Sequence, residues 1–259
     1  MLWRLALVLT GLAAALPGLA VGQAGEQVVA GLSQNRVSIT ANFDGSEILI
    51  FGAVQREAPP PDTGPLEVVI AIAGPPEPVT VRRKSREYGI WVNTDSFVIE
   101  DAPSFYAIAT SNPIDHVLSG PEDLAHRISI PHAVRSISAN AATLKAYAFT
   151  SALIRIREEA GLYFTQENSI TIREETLFDT SISLPANLTE GIYLARILLT
   201  RDRQVVDEYK TVIYVSKVGL ERWIFNLAHE QPLIYGVLSL FIAIVAGWGA
   251  SAVFRYGRF

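Results

Sequence analysis

Two long apolar runs bracket the chain, and between them hydrophobic and polar positions alternate in short stretches. A period of two sends successive side chains to opposite faces of a strand. On that basis residues 36–40, 47–54, 66–73, 79–83, 90–92, 96–99 and 105–110 read as strands. Turn formers separate them: Asp44-Gly45, the group Pro59, Pro60, Pro61 and Pro65, and Gly74-Pro75-Pro76 with Pro78. Strands return at 162–166, 170–173, 177–184, 192–199 and 204–215, the last two joined as a hairpin across Arg201-Asp202-Arg203. Gly191-Ile192-Tyr193 is placed like the corner tyrosine of immunoglobulin-like sandwiches.

Between these β-rich stretches the period changes. Asn112-Pro113 and Ser119-Gly120-Pro121 open helices with proline in the first turn. Ala146, Phe149, Leu153, Ile156 and Ala160 recur every three or four residues, predicting a helix over 140–160 that packs on a sheet and stops at Gly161. The expected fold is mainly β with some α: two immunoglobulin-like or β-sandwich modules, 25–112 and 161–217, joined by a helical region at 113–160.

The terminal runs differ in length. Arg4 precedes the apolar residues 5–16, which are too few to cross a bilayer comfortably and match the core of a signal peptide. Pro17 and Gly18 break the run, and small residues at Gly22 and Ala24 predict a signal peptide over 1–24, with Ala20 as an alternative cleavage site. An uncleaved anchor is the competing reading. Residues 232–254 form the opposite case: 233–254 contain no charge and are long enough to cross the hydrocarbon layer as a helix. Trp223, Phe225 and Tyr235 lie near one end and Trp248, Tyr256 and Phe259 near the other, as interfacial aromatics do. Residues 218–231 read as an amphipathic juxtamembrane segment. Arg255 and Arg258 in the tail 255–259 put that tail in the cytoplasm and the body in the periplasm, the signal peptide carrying most of the orientation.

Composition then removes whole classes of function. The net charge is −5 and the pI about 5.4, so there is no basic footprint for nucleic acid. Mean hydropathy is +0.27, with much of the excess at the two ends. Zero cysteines exclude disulfides, thiolate metal sites, cysteine nucleophiles and an N-terminal lipidated cysteine.

Three residue groups are candidates for a role. Arg82, Arg83, Lys84 and Arg86 concentrate four cations in five positions and suit an anion, lipid headgroups or an acidic partner, against the plainer reading of a solvated turn. His116, His126 and His132, near Asp115, Glu122 and Asp123, have the residue types of a metal set but no known ligand spacing. Ser239, Ala243, Gly247 and Ser251 recur every fourth residue of the predicted span, giving one face on which another helix can approach closely. No nucleophile elbow, phosphate loop or dinucleotide fingerprint stands in a credible context. No catalytic residue, cofactor or metal is therefore assigned, and an enzyme is the least favoured of three classes. An accessory module for a membrane partner and a tethered sensor of an anionic ligand rank above it.

Residues 31–40, 47–52, 79–84, Gly89-Ile90-Trp91-Val92-Asn93-Thr94, Pro103-Ser104-Phe105-Tyr106 and Val218-Gly219-Leu220-Glu221-Arg222-Trp223-Ile224 form a set that covers nearly the whole mature chain. In these the chain resembles the putative transmembrane protein family of alphaproteobacteria. The resemblance implies a cell-envelope protein without an assigned activity, working beside permeases of the sulfite-exporter type. It brings no catalytic residues. Independently of it, the partners expected of the span are the lipid bilayer and either such a membrane protein or a second copy of the chain.

Overall fold

The computed structural model describes residues 26–40, 43–56, 59, 64–134 and 144–256. The predicted signal peptide lies outside the described residues, as do 257–259 of the predicted tail.

Seven strands come first: β1 (Gln27–Leu32), β2 (Arg36–Ile39), β3 (Ser46–Gln55), β4 (Glu67–Ala73), β5 (Pro76–Glu87), β6 (Ile90–Pro103) and β7 (Tyr106–Thr110). Four helices follow: α1 (Ile114–Val117), α2 (Gly120–His126), α3 (Ile130–Ala133) and α4 (Leu144–Glu159). The chain then forms β8 (Tyr163–Gln166), β9 (Thr171–Arg173), β10 (Leu177–Leu184), β11 (Gly191–Arg201) and β12 (Gln204–Lys217), and ends in α5 (Leu220–Glu230) and α6 (Pro232–Tyr256). The mainly β composition, the intervening helices and the long apolar C-terminal helix agree with the sequence pattern.

The strands form two packed sheets and a separate ribbon. One sheet has the order β1-β3-β10-β9 and is antiparallel throughout. The other has the order β2-β12-β11-β4-β7-β8, with parallel pairs only at its margins, β2 with β12 and β7 with β8. Ile48, Ile50, Phe178 and Ile182 from the first sheet share one core with Ile70, Ile72, Tyr193, Ile197 and Ile213 from the second. β4 and β7 are buried along nearly their whole length, because α1 to α3 cover the outer face with Val117, Leu118, Ile128 and Ile130. Their unbroken apolar runs follow from burial on both sides.

The two β-rich stretches do not form separate modules. β3 lies between β1 and β10, and β11 lies between β12 and β4, so strands from either side of the helical region pair within the same sheets. Periodicity assigns each strand an inner face; it carries no information on which strand pairs with which.

Register also assigns the ends of the sandwich. β4 and β12 run in the same direction on either side of β11, with Ala73 opposite Leu194 and Leu194 opposite Val212. The β11–β12 turn, Asp202 and Arg203, has two positive φ angles of 48° and 65°, the geometry that matches strand twist in a two-residue hairpin. At about 3.3 Å per residue β12 carries the chain roughly 45 Å from that turn to α5 and α6 at the opposite end. Pro75, which precedes β5, sits against Gly191, where a Cβ would come within 2.8 Å of the proline ring and φ is +150°. Gly191 pairs with Val215, two residues before β12 ends. The β5–β6 ribbon therefore leaves the sandwich at the end from which the chain passes to α6.

Candidate functional site

β5 and β6 pair antiparallel from Pro76–Pro103 to Glu87–Ile90, turning at Tyr88-Gly89 with φ angles of 50° and 87°. Sequence patterning found only fragments of these strands, because one face of the ribbon needs no apolar residues. The other face rests on α4. Val81, Ile99, Phe149 and Leu153 are buried there, and the Phe97 and Phe149 rings stack at 5.9 Å. Ala146, Phe149 and Leu153 of the predicted stripe are buried, whereas Ile156 is 50% exposed and Ala160 is exposed at the helix end.

The four clustered cations divide between these faces. Arg83 is on the α4 side, its guanidinium 3.4 Å from Asp95 and 5.9 Å from the centre of the Phe149 ring. Lys145 donates to Asp95 at 2.7 Å, and that hydrogen bond is the main reason the Asp95 carboxyl titrates below its usual range. Arg82, Lys84 and Arg86 fall on the opposite, exposed face, as strand alternation requires. Trp91 pairs with Arg86 across the strands and is 69% exposed. Tyr88 is fully exposed at the tip and Ile90 is exposed beside it. Sequence reasoning missed these three as a group; the signal was a Tyr-Gly turn between two alternating runs.

The histidine set does not converge. His126 Nε2 lies 3.6 Å from Glu122 and His132 Nδ1 lies 2.8 Å from Asp123, in two separate pairs, and among the described residues no three metal-ligating side chains come together. Ser129 Oγ is 3.0 Å from His132 Nδ1, the same ring nitrogen that Asp123 engages, so this serine is not placed for activation through the imidazole as in a nucleophile–base–acid relay. Asp123 instead ties down the loop after α2, accepting the Ile128 and Ser129 N–H groups at 3.1 and 2.7 Å. Burial pushes its carboxyl up, but the Ser129 N–H and hydroxyl and His132 outweigh burial and hold it below the usual range.

Tyr193 is buried completely and its hydroxyl donates to the Thr189 carbonyl at 2.7 Å, four residues upstream, which reproduces the corner the sequence suggested. Burial pushes this phenol up to about 12, so it stays a neutral donor.

Two further surfaces are apolar. On the outer face of the first sheet Val29, Leu49, Phe51 and Leu177 are exposed together, and the Phe51 ring lies over Gly31 of β1. α6 has a stretch of 20 residues, Pro232–Ser251, with the length and composition of a membrane span and none of it buried against the body. Ser239, Ala243, Gly247 and Ser251 are all exposed along it. Ser239 Oγ donates to the Tyr235 carbonyl at 2.7 Å, which satisfies the hydroxyl within its own helix. On α5, Trp223, Ile224 and Phe225 are exposed, and the Phe225 and His229 rings stack at 4.0 Å.

No curated protein matches the chain. Among solved structures, the sporulation control protein Spo0M from Bacillus subtilis is similar at 10% identity with a TM-score of 0.28, over 78% of this chain and 53% of that one. The chain thus spans about half the length of that protein. The family described as Putative transmembrane protein (Alph_Pro_TM) matches residues 27–256. This match takes in both sheets, the ribbon and α6, and the chain belongs to that family.

Proposed function

We propose that the chain is a single-pass inner-membrane protein with a periplasmic body and a cytoplasmic C-terminus, serving a membrane partner such as a permease as a non-enzymatic accessory. The observation that carries this reading is the exposed apolar helix α6 following a body whose first sheet also exposes an apolar face. Among the described residues the span is not buried against the body, which leaves its surface open to lateral association, and its small residues allow close backbone approach. Crosslinking in intact membranes, followed by identification of what co-purifies, tests the reading. A stable permease partner supports it, and recovery of the chain alone counts against it. The paired change Ala243→Leu and Gly247→Leu is expected to reduce recovery of the partner, or of a second copy if the span self-associates. A reporter fused after Phe259 that is active only outside the cytoplasm would overturn the orientation.

A second reading, a tethered sensor of an anionic ligand, is favoured by one observation: Arg82 and Lys84 make no ion pair among the described residues. A rise in melting temperature with small anions, lost on neutralising Arg82, Lys84 and Arg86, distinguishes it from the first.

A further inference from the structure

The outer face of the β5–β6 ribbon has a composition unlike the rest of the body. Alternation from the root to the tip places Thr80, Arg82, Lys84 and Arg86 of β5 on it, with Val98, Ser96, Asn93 and Trp91 of β6. From Thr80 to the tip this face has three cations and no carboxylate. The ribbon's acidic groups lie elsewhere: Asp95 and Glu87 on the α4 side, and Glu77, Glu100 and Asp101 at the irregular root. The chain as a whole is net negative, so this is a local inversion of charge. It is capped by an indole and a phenol, the two side chains that combine an apolar body with a polar edge and favour the lipid headgroup region.

Position on the fold supplies the second argument. The ribbon begins where Pro75 meets Gly191, at the end of the sandwich from which β12 passes to α5 and α6. Its twelve-residue strand gives a reach of about 40 Å from that end. A membrane that receives α6 is therefore within reach of Tyr88 and Trp91.

We propose that the ribbon face formed by Arg82, Lys84, Arg86 and Trp91, with Tyr88 at its tip, docks on the anionic lipid surface of the membrane that α6 enters. The cations meet lipid phosphates, the aromatic rings enter the headgroup layer, and α4 stiffens the ribbon from behind. The body then has a second contact with the bilayer besides its helical anchor. The proposal rests on the membrane-anchored reading above, but on neither the permease nor the orientation.

The absence of cysteine from the sequence makes the test direct. Tyr88→Cys gives a single labelling site at the tip, and Gln204→Cys gives a control at the far end of β12. Each full-length variant, labelled with an environment-sensitive dye, is reconstituted in vesicles of phosphatidylcholine or of equimolar phosphatidylcholine and phosphatidylglycerol, with a quencher attached to the lipid chains. The dye at position 88, but not at 204, is expected to be quenched and blue-shifted in the anionic vesicles. Arg82→Gln, Lys84→Gln and Arg86→Gln should each weaken the docking equilibrium roughly fivefold, and added salt should weaken it further. Equal exposure of the two dyes in anionic vesicles overturns the proposal, as does quenching that ignores lipid charge and all three substitutions. Protection of position 88 only in native membranes that retain their proteins assigns the face to a protein partner instead. Failure of the chain to float with the vesicles is a separate result, which overturns the anchor itself.

Discussion

Glu26 and Arg201 are 175 positions apart in sequence, and they are joined by two hydrogen bonds of 2.6 and 2.8 Å. Both are almost fully removed from water, at 7% and 6% exposure. Arg56 adds a third bond at 2.6 Å to the same carboxylate, Arg201 reaches Glu175 at 3.3 Å, and Arg56 also donates to the Glu175 carbonyl. The cluster fastens the start of β1 to the β11–β12 turn. Arg201→Ala removes two charge-assisted bonds from a buried carboxylate and leaves Arg56 as its remaining cation, so it is expected to cost about 1.5–3 kcal/mol in chemical denaturation of the full chain. The hydrogen bond from Arg201 is the largest reason the Glu26 carboxyl titrates below its ordinary value of 4.5. A carboxylate with a lowered folded pKa stabilises the fold fully above its unfolded pKa, and that stabilisation is lost as pH falls through the folded value. The stability of the native chain should therefore fall with acid below about pH 4.5, and Arg201→Ala should flatten that slope. A variant with the same acid slope as the native chain would refute this assignment. Nothing in the local sequence around Glu26 announces the cluster, because its partners come from three distant segments.

The helical stripe and the ribbon show how far periodicity reaches at the scale of one element. Spacing alone groups Ala146, Phe149, Leu153 and Ile156 on one face of α4, and the first three are buried. Ile156 escapes because the ribbon and α3 cover only part of the helix, a matter of partner extent that spacing does not encode. Phe149→Ala should therefore cost about 3–5 kcal/mol by opening a cavity against Phe97, Val81 and Ile99. Ile156→Ala should change stability by no more than about 0.5 kcal/mol, as for an exposed position. Urea melts of the two variants separate the predictions, and equal losses would mean that the helix is seated differently. The candidate surface was legible only in its charges. Arg82, Arg83, Lys84 and Arg86 stand out in sequence, but their division between two faces, and the exposed aromatic residues beside them, depend on the pairing of β5 with β6.

For the whole molecule, strand interleaving makes the body one cooperative unit. β10 has β3 as its partner along its full length, from Leu177–Ala53 to Leu184–Ser46, and β11 is hydrogen-bonded to β4 from Leu194–Ala73 to Thr200–Glu67. Dividing the chain at the helical region opens both pairings and leaves Ile48, Ile50, Ile70 and Ile72 facing water on one fragment and Phe178, Ile182 and Ile197 on the other. Neither fragment then keeps a complete core, and each acquires long unpaired strand edges that promote aggregation. Fragments 25–112 and 161–217 expressed separately are expected to lack a cooperative thermal transition, whereas the intact chain should lose its near- and far-ultraviolet circular dichroism in one coincident step. A fragment that melts cooperatively alone, or an intact chain whose two probes separate, would divide the body into independent modules after all. Single-unit unfolding also bears on the anchor. β12 is the second strand of the second sheet and passes directly to α5 and α6, so force on the span is delivered to the centre of the sandwich through β11 instead of to a detachable C-terminal module.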